Sequence, residues 1–472
     1  MYNFPGDSHV CPSRVSVHHR RLGETHLKRL AVTGLVALAT VLGTWGAVSA
    51  ASAGTSSPAS VSSVTPASAP VSVSFAKPGA PSVPNHLAYP AGMRPAVTAP
   101  FNVLQDVSCL NPNDCLAVGS NNTANGGHGS PIAYLWSKGS WHATAVPLPS
   151  GATGGFLASV SCKPGLCLAV GDYWRGTTSY LLAEYWKGAG WKNTPQPAAI
   201  SGAKYSYLTI ASCASSAFCV ASGAYVPSSN TNQLVAVAEV WNGSSWRLSK
   251  PPAAGPYHYA GLFSVSCPAV NSCLLGGEYA TADQGFFETL VERFDGAHWR
   301  QVTDGVATPT QGVASFVDSV SCASSTSCAI VGVVTPAVST NSAVWHAFTE
   351  TLSGTAWTIE NNGLPTNSAT TLNAVSCPTT TYCVAVGGLG TYAKATTGKA
   401  AYAIWTGGTT WALHYPALPS SDAGQGSILD GVQCLTATSC DAGGLAGAYN
   451  TNTSHGLTGF WNGTTWTTVN TA

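Results

Sequence analysis

Charge is scarce in this chain: 19 Lys plus Arg and 19 Asp plus Glu make up only 8% of its 472 residues. From residue 54 onward 14 basic residues stand against 17 acidic ones, and no basic tract forms. Binding to a phosphate backbone needs clustered Lys and Arg, so no nucleic-acid partner is expected. Long apolar runs are equally rare. The stretch Leu30 to Val48 alone approaches the roughly 20 residues that span a bilayer. It follows the basic segment "VHHRRLGETHLKR" and ends in small residues around Ala51-Ser-Ala53, which reads as a secretory signal cleaved near Ala50 or Ala53. An uncleaved anchor is the alternative, and no membrane insertion is expected beyond it. Unpaired cysteine is missing too. Fourteen of the 15 cysteines fall into close pairs, and the leftover, Cys11, lies ahead of the cleavage point.

What the sequence does contain is a repeat. The pairs are Cys109/Cys115, Cys162/Cys167, Cys213/Cys219, Cys267/Cys273, Cys322/Cys328, Cys377/Cys383 and Cys434/Cys440, with a glycine four residues after each second cysteine. An even cysteine count in an exported chain indicates disulfides. Zinc is the alternative, but the pairs lack Cys or His partners at ligand spacing. Self-similarity at a fixed period is a sign of repeat architecture, and here each unit divides into four pieces. A strand ends in Val-Ser-Cys, as at 160–162, 320–322 and 375–377; a second begins at the other cysteine ("CLAVG", "CVAVG"). A third carries aromatics and ends in a Gly turn, and a fourth opens on Trp141, Trp191, Trp246, Trp299, Trp357, Trp411 or Trp466. Asn242-Gly243, Asp295-Gly296 and Asn462-Gly463 are tight-hairpin signals between the last two.

A four-stranded sheet with two apolar faces is not stable alone, whereas seven packed face to face bury both faces of each. The expected fold is therefore all-β: a seven-bladed β-propeller with four antiparallel strands and one disulfide-stapled hairpin per blade. A linear β-solenoid is the runner-up, but its rungs are usually shorter. If the first two strands of a blade form a hairpin, cysteines six apart face each other across its turn at disulfide distance. Cys162/Cys167, one residue closer, is expected to be more strained. The expected organisation is a signal over 1–53, a disordered Ser/Ala/Pro-rich stalk over 54–100 and the propeller over 101–472.

The order of strand, Gly-ended strand, aromatic strand, turn and Trp-led strand resembles kelch-type propeller repeats. The composite "VSC.....C.AVG......AE.WNG..W" is similar more closely to a repeat in secreted bacterial proteins, mostly of actinobacterial type, which implies a fold but no established activity. The resemblance covers 101–472. Against propeller enzymes, a sialidase needs an arginine cluster, and this region holds only Arg175, Arg247, Arg293 and Arg300. A galactose-oxidase-like copper site needs a free cysteine. A glycosidase needs two carboxylates, which spacing alone does not exclude.

Strand alternation puts the stapled turn and the Gly turn on one face and the variable connections on the other, where binding residues usually sit. Candidate ligand contacts on that loop face are Tyr173, Trp174, Arg175, Tyr205, Tyr257, His258, Tyr259, Tyr279, Asp283, Trp345, His346, Tyr392 and Asp422. Rings beside polar groups suit sugars, whose C–H surfaces stack while hydroxyls take polar partners. Packing over the hub is the alternative for any one of them. Glu184, Glu239, Glu292 and Glu350 recur at one strand position and are read as structural hydrogen-bonding groups rather than a catalytic or calcium-binding ring. Asp441, where other copies are apolar, has no sequence explanation. The expected function is extracellular binding of a glycan or a cell-surface protein, by a monomer without metal or cofactor. The alternatives are a secreted polysaccharide hydrolase or lyase and a structural wall protein.

Overall fold

A computed structural model describes residues 101–472 except 112–113, 123–128, 138–139, 189, 193–194, 231–232, 250–258, 281–287, 303–314, 335–345, 361–362, 366–368, 391–397, 423–425, 447–454 and 472. The expected signal and stalk lie outside the described residues, as do Tyr257, His258, Asp283, Trp345 and Tyr392. Seven four-stranded antiparallel sheets span 101–145, 154–192, 203–249, 259–301, 315–359, 370–414 and 427–471. Each is built from four consecutive strands, so repeat and blade coincide. First strands of successive blades pack side by side around the hub. Among the described residues no helix is long and apolar enough to cross a membrane.

Side chains alternate across each sheet, and both faces are apolar. Six clusters of buried residues each join two successive blades. Between blades 2 and 3, for example, Leu168, Val170 and Ala183 meet Leu208, Ala221, Val237 and Trp241. The Trp that opens the fourth strand packs on the ring that closes the third: Trp241 on Trp246 at 5.4 Å, Phe294 on Trp299 at 4.8 Å, Trp461 on Trp466 at 6.0 Å. In blade 1 the corresponding face, with Cys115, Ala117, Trp136 and Trp141, forms a cluster of its own.

All seven cysteine pairs are bonded, Cys109 to Cys115, Cys162 to Cys167, Cys213 to Cys219, Cys267 to Cys273, Cys322 to Cys328, Cys377 to Cys383 and Cys434 to Cys440, with Cα atoms 3.9–4.1 Å apart. The staples belong to the core rather than to any surface a ligand could reach. The second cysteine of every pair is buried: Cys115, Cys167, Cys219, Cys273, Cys328, Cys383 and Cys440 are at most 6% exposed. Among the first cysteines Cys162, Cys213, Cys267 and Cys377 are buried as well, while Cys109, Cys322 and Cys434 are half-buried. The cause is position, because the second strand lies inside its sheet, between the first and the third, and its cysteine side chain packs against a neighbouring apolar cluster. The disulfide staple expected in each blade is thus present, and Cys167, Cys328 and Cys383, like the rest, brace the blades.

The shorter pair, Cys162 with Cys167, is reached through a two-residue turn, Pro164-Gly165, in which Gly165 takes a φ of 87° that glycine adopts without strain. Its Cα separation, 3.9 Å, matches the others, so the strain expected from spacing is absorbed by the turn.

The glycine four residues past the second cysteine owes its recurrence to close backbone approach. In every blade the first strand carries one extra residue, a β-bulge opposite this glycine, as between Leu157 and Ser159 or Leu372 and Ala374. The bulge drives a carbonyl into the space of a side chain. A Cβ on Gly387 would lie 1.9 Å from the Thr371 oxygen, and one on Gly171 1.9 Å from the Phe156 oxygen. Gly387→Ala is therefore expected to cost roughly 3 kcal/mol. Gly408→Ala, where a Cβ meets nothing within 4 Å, is the control and should change stability by no more than about 0.5 kcal/mol. Equal denaturation midpoints for the two variants would refute this explanation.

Neighbouring blades are clipped together by the serine that precedes the first cysteine, in Val-Ser-Cys or, in blade 3, Ala-Ser-Cys. Its hydroxyl accepts the N–H of the first cysteine in the next blade: Ser108 from Cys162, Ser161 from Cys213, Ser212 from Cys267, Ser266 from Cys322, Ser321 from Cys377 and Ser376 from Cys434, all at 2.9–3.0 Å. The seventh copy has Gln433 instead. A second tier lies one bulge away. Asp106 accepts from the Ser159 hydroxyl at 2.7 Å and the Val160 N–H at 2.8 Å, while Ser264 and Ser319 accept from Val320 and Val375.

The four recurrent glutamates are buried, each at most 2% exposed. Glu184 has the structural role its position suggests. Gln196 donates to its carboxylate at 2.9 Å and also takes both the N–H and the C=O of Ala183 at 2.9 Å. One side chain thus stands in for the fourth strand, which in this blade is only Trp191–Lys192. Burial pushes Glu184 up to about 8, with Gln196 opposing, and Glu239 up to about 7, with Arg247 opposing. Asp441 is 8% exposed, and burial raises it to about 7.

Candidate functional site

The second and third strands of blade 2, Leu166–Arg175 and Thr178–Trp186, stay paired to their ends and turn on Gly176-Thr177 alone. The first strand of blade 3, Ala203–Ser215, starts early and runs beside this hairpin. Alternation then sorts the tip residues to two sides. Tyr173 and Arg175 look towards the linker from blade 1, and Asp172 and Trp174 look towards blade 3.

On the first side Tyr173 stacks on Tyr180 at 5.4 Å, and the Arg175 guanidinium lies 5.3 and 5.8 Å from the two ring centroids. Arg175 also donates to the Ser150 carbonyl at 2.8 Å. Tyr173 is buried, so it serves as the floor beneath an exposed arginine. On the other side the half-buried rings of Trp174 and Tyr205 meet at 5.7 Å, and the Lys204 ammonium sits 5.8 Å from the Tyr205 centroid. Lys204 donates to the Thr177 hydroxyl at 3.1 Å, which ties blade 3 to the tip of blade 2.

Beneath these rings lies a polar seam through blades 2, 3 and 4. Asp172 is 6% exposed; burial pushes it up to about 7, and the hydrogen bond from the Trp174 indole opposes the rise. Burial and the Asp172 charge both push the Tyr207 hydroxyl well up. Tyr259 is raised by burial first and then by the charge of Glu278, which is 4% exposed. Asp172 and Glu278 occupy the same position, five residues past the second cysteine, in blades 2 and 4. Tyr279 donates to Glu288 beside this seam. Among the described residues no three His, Cys, Asp or Glu side chains are grouped as metal ligands.

Tyr173, Trp174, Arg175 and Tyr205 are thus gathered at one hairpin tip, with Tyr259 and Tyr279 in the seam leading to blade 4. His346 opens the third strand of blade 5, apart from the contacts of this group. Asp422, in a short 3-10 turn over Ser420–Asp422 between blades 6 and 7, is fully buried and so lies out of a ligand's reach. Sequence reasoning passed over Asp172, Glu278, Lys204 and Tyr180. Their signal was present, since Asp172 and Glu278 follow the recurrent glycine directly, but only the pairing of blades brings them together.

The architecture is that of a seven-bladed β-propeller with one disulfide in every blade. By sequence the chain matches no protein-family model and no curated protein. Among solved structures it is similar to YCF48 bound to a D1 peptide, with TM-score 0.40 and 10% identity over 75% of this chain and 90% of that one. YCF48 from Cyanidioschyzon merolae gives 0.41 and 11% over 74% and 94%. The GH74 enzyme of Niastella koreensis gives 0.41 and 10% over 78% and 59%. At such identities these are likenesses of fold.

Proposed function

We propose that this protein is an extracellular binding propeller that recognises a glycan through the loop face at blades 2 and 3. The observation that carries the reading is the pair of half-buried rings, Trp174 and Tyr205, displayed at a hairpin tip beside polar and cationic groups. Such rings offer flat apolar faces to sugar C–H groups, and the rigid blades beneath fix their positions before a ligand arrives. Seven disulfides fit an oxidising compartment. The secretory leader and the kelch-like, bacterial-type repeat read from the sequence support a secreted or cell-surface location.

Tyr205→Ala removes one ring and leaves the Trp174–Asp172 hydrogen bond in place. It is expected to weaken binding of the best ligand from a glycan array about tenfold, with the melting temperature unchanged. Undiminished affinity in that variant, or silence of the native protein on every glycan, would end the glycan reading; silence would point to a protein partner.

A second reading, a polysaccharide hydrolase, is favoured by one observation. Asp172 and Glu278 are two buried carboxyls separated by two tyrosines, and Asp172 is held near neutrality, as a general acid requires. Release of reducing ends by the native protein, abolished in Asp172→Asn, would establish it in place of simple binding.

A further inference from the structure

The two cations at the blade 2 tip lack counter-charges. The described segments beside them, 145–156, 173–183, 197–208 and 225–230, contain no Asp or Glu. Among the described residues neither Arg175 nor Lys204 has a carboxylate partner. In a chain where charge is 8% of residues, two neighbouring cations over aromatic rings and without acids nearby are an unusual local concentration. Asp172, three residues before Arg175 in the same strand, is buried and hydrogen-bonded to Trp174 rather than presented to solvent.

Both cations are also held in place. Arg175 is fixed by Ser150 and lies over Tyr173 and Tyr180; Lys204 is fixed by Thr177 and lies over Tyr205. Their hydrogen bonds to neutral oxygens leave donors free, because guanidinium has five N–H groups and ammonium three. One stands on each side of the Gly176-Thr177 turn, and Arg175, Gly176 and Thr177 are exposed. A polymer laid across the tip would meet one cation, then the turn, then the other, with rings beneath it on both sides.

We infer that the ligand of this tip is an acidic polysaccharide, whose uronic-acid carboxylates pair with Arg175 and Lys204 while its sugar rings lie on Trp174 and Tyr205. The inference rests on the glycan reading above and narrows it from glycans in general to anionic ones. Arginine supplies a planar two-point contact to a carboxylate, and lysine a point charge. Such pairs at an exposed tip are weakened by salt.

Isothermal titration of the native protein with polygalacturonate, with its carboxyl-reduced neutral form and with a sulfated glycan tests this. Polygalacturonate is expected to bind at least tenfold more tightly than the reduced polymer, with affinity falling several-fold between 50 and 500 mM NaCl on the order expected for screened pairs. Arg175→Gln and Lys204→Gln should each weaken it roughly five- to tenfold. Arg247→Gln, an exposed cation in the outer strand of blade 3, should leave it unchanged. Unaltered melting temperatures would show that the losses belong to binding. Tight binding of the sulfated glycan alone would make the anion a sulfate and overturn the uronic-acid assignment. Equal binding of the acidic and reduced polymers, or affinities within twofold in both glutamine variants, would overturn the inference and leave the glycan reading standing. Absence of binding to any sugar polymer would remove both.

Discussion

Reduction of the seven disulfides is expected to unfold the propeller at ambient temperature. Each bond closes a loop of only six or seven residues, so in the chain-entropy description it contributes about 2 kcal/mol. Seven together amount to about 15 kcal/mol, equal to or larger than the roughly 5–15 kcal/mol by which folded domains are usually stable. Most of these sulfurs are buried: Cys219 is 0% exposed and Cys115 and Cys440 1%. Reduction should therefore proceed through unfolding and be slow below the transition. Protein reduced in denaturant, alkylated and returned to buffer is expected to show no cooperative melt, whereas the oxidised protein melts cooperatively. A double variant lacking one staple, Cys267→Ser with Cys273→Ser, should lose about 2 kcal/mol and keep its fold. An alkylated chain that melts like the native one would show that the sheets, not the staples, carry the stability.

The second large effect concerns pH. Asp172, Glu239 and Asp441 are raised to about 7 and Glu184 to about 8, in each case chiefly by burial, and all four are at most 8% exposed. A carboxyl whose pKa is higher in the folded chain than in the unfolded one binds a proton on folding between those two values. Its stabilising contribution is complete below the unfolded pKa, near 4, and is lost as pH rises through the folded pKa. Each unit of difference corresponds to about 1.4 kcal/mol, so the four together should shift stability by several kcal/mol. The melting temperature is expected to be higher at pH 5 than at pH 8.5, by about 5 °C or more for a chain of this size. The decline should run from about pH 4 to 7, with Glu184 extending it towards 8, and Glu184→Gln should flatten its upper end. Asp295 runs the other way, lowered by N–H groups of its own turn, but it lies in solvent and has little effect on folding. A melting temperature that climbs from pH 5 to 8.5 would mean these carboxyls are ionised in the folded protein with partners supplied from elsewhere.

The blade itself was largely legible before any coordinates. Cysteines across a short turn, a glycine at fixed offset and a Trp at the head of the last strand are local signals, and local chemistry decides hairpins. The reason for each signal was less legible. Glycine recurs because of a bulge on the opposite strand, which no property of "CLAVG" announces. The serine before the first cysteine looks like an ordinary strand residue until the neighbouring blade offers an N–H some 55 positions away, as Cys267 does to Ser212. Gln196, in a linker with no strand pattern, replaces backbone pairing. At the site, Tyr173, Trp174 and Tyr205 could be chosen as ring-bearing residues and Arg175 as the cation beside them. Lys204 and Asp172 could not, since their importance depends on which blade lies alongside.

Among the described residues every sheet is made from four consecutive strands, and none takes a strand from the far end of the chain. Each repeat completes its own strand pairing and its own cross-brace, and what passes between repeats is a row of serine clasps and apolar surface. Copies can then be gained or lost whole during descent without orphaning half a sheet. Among the described residues six such clasps are present, and the seventh copy carries Gln433 in place of the serine.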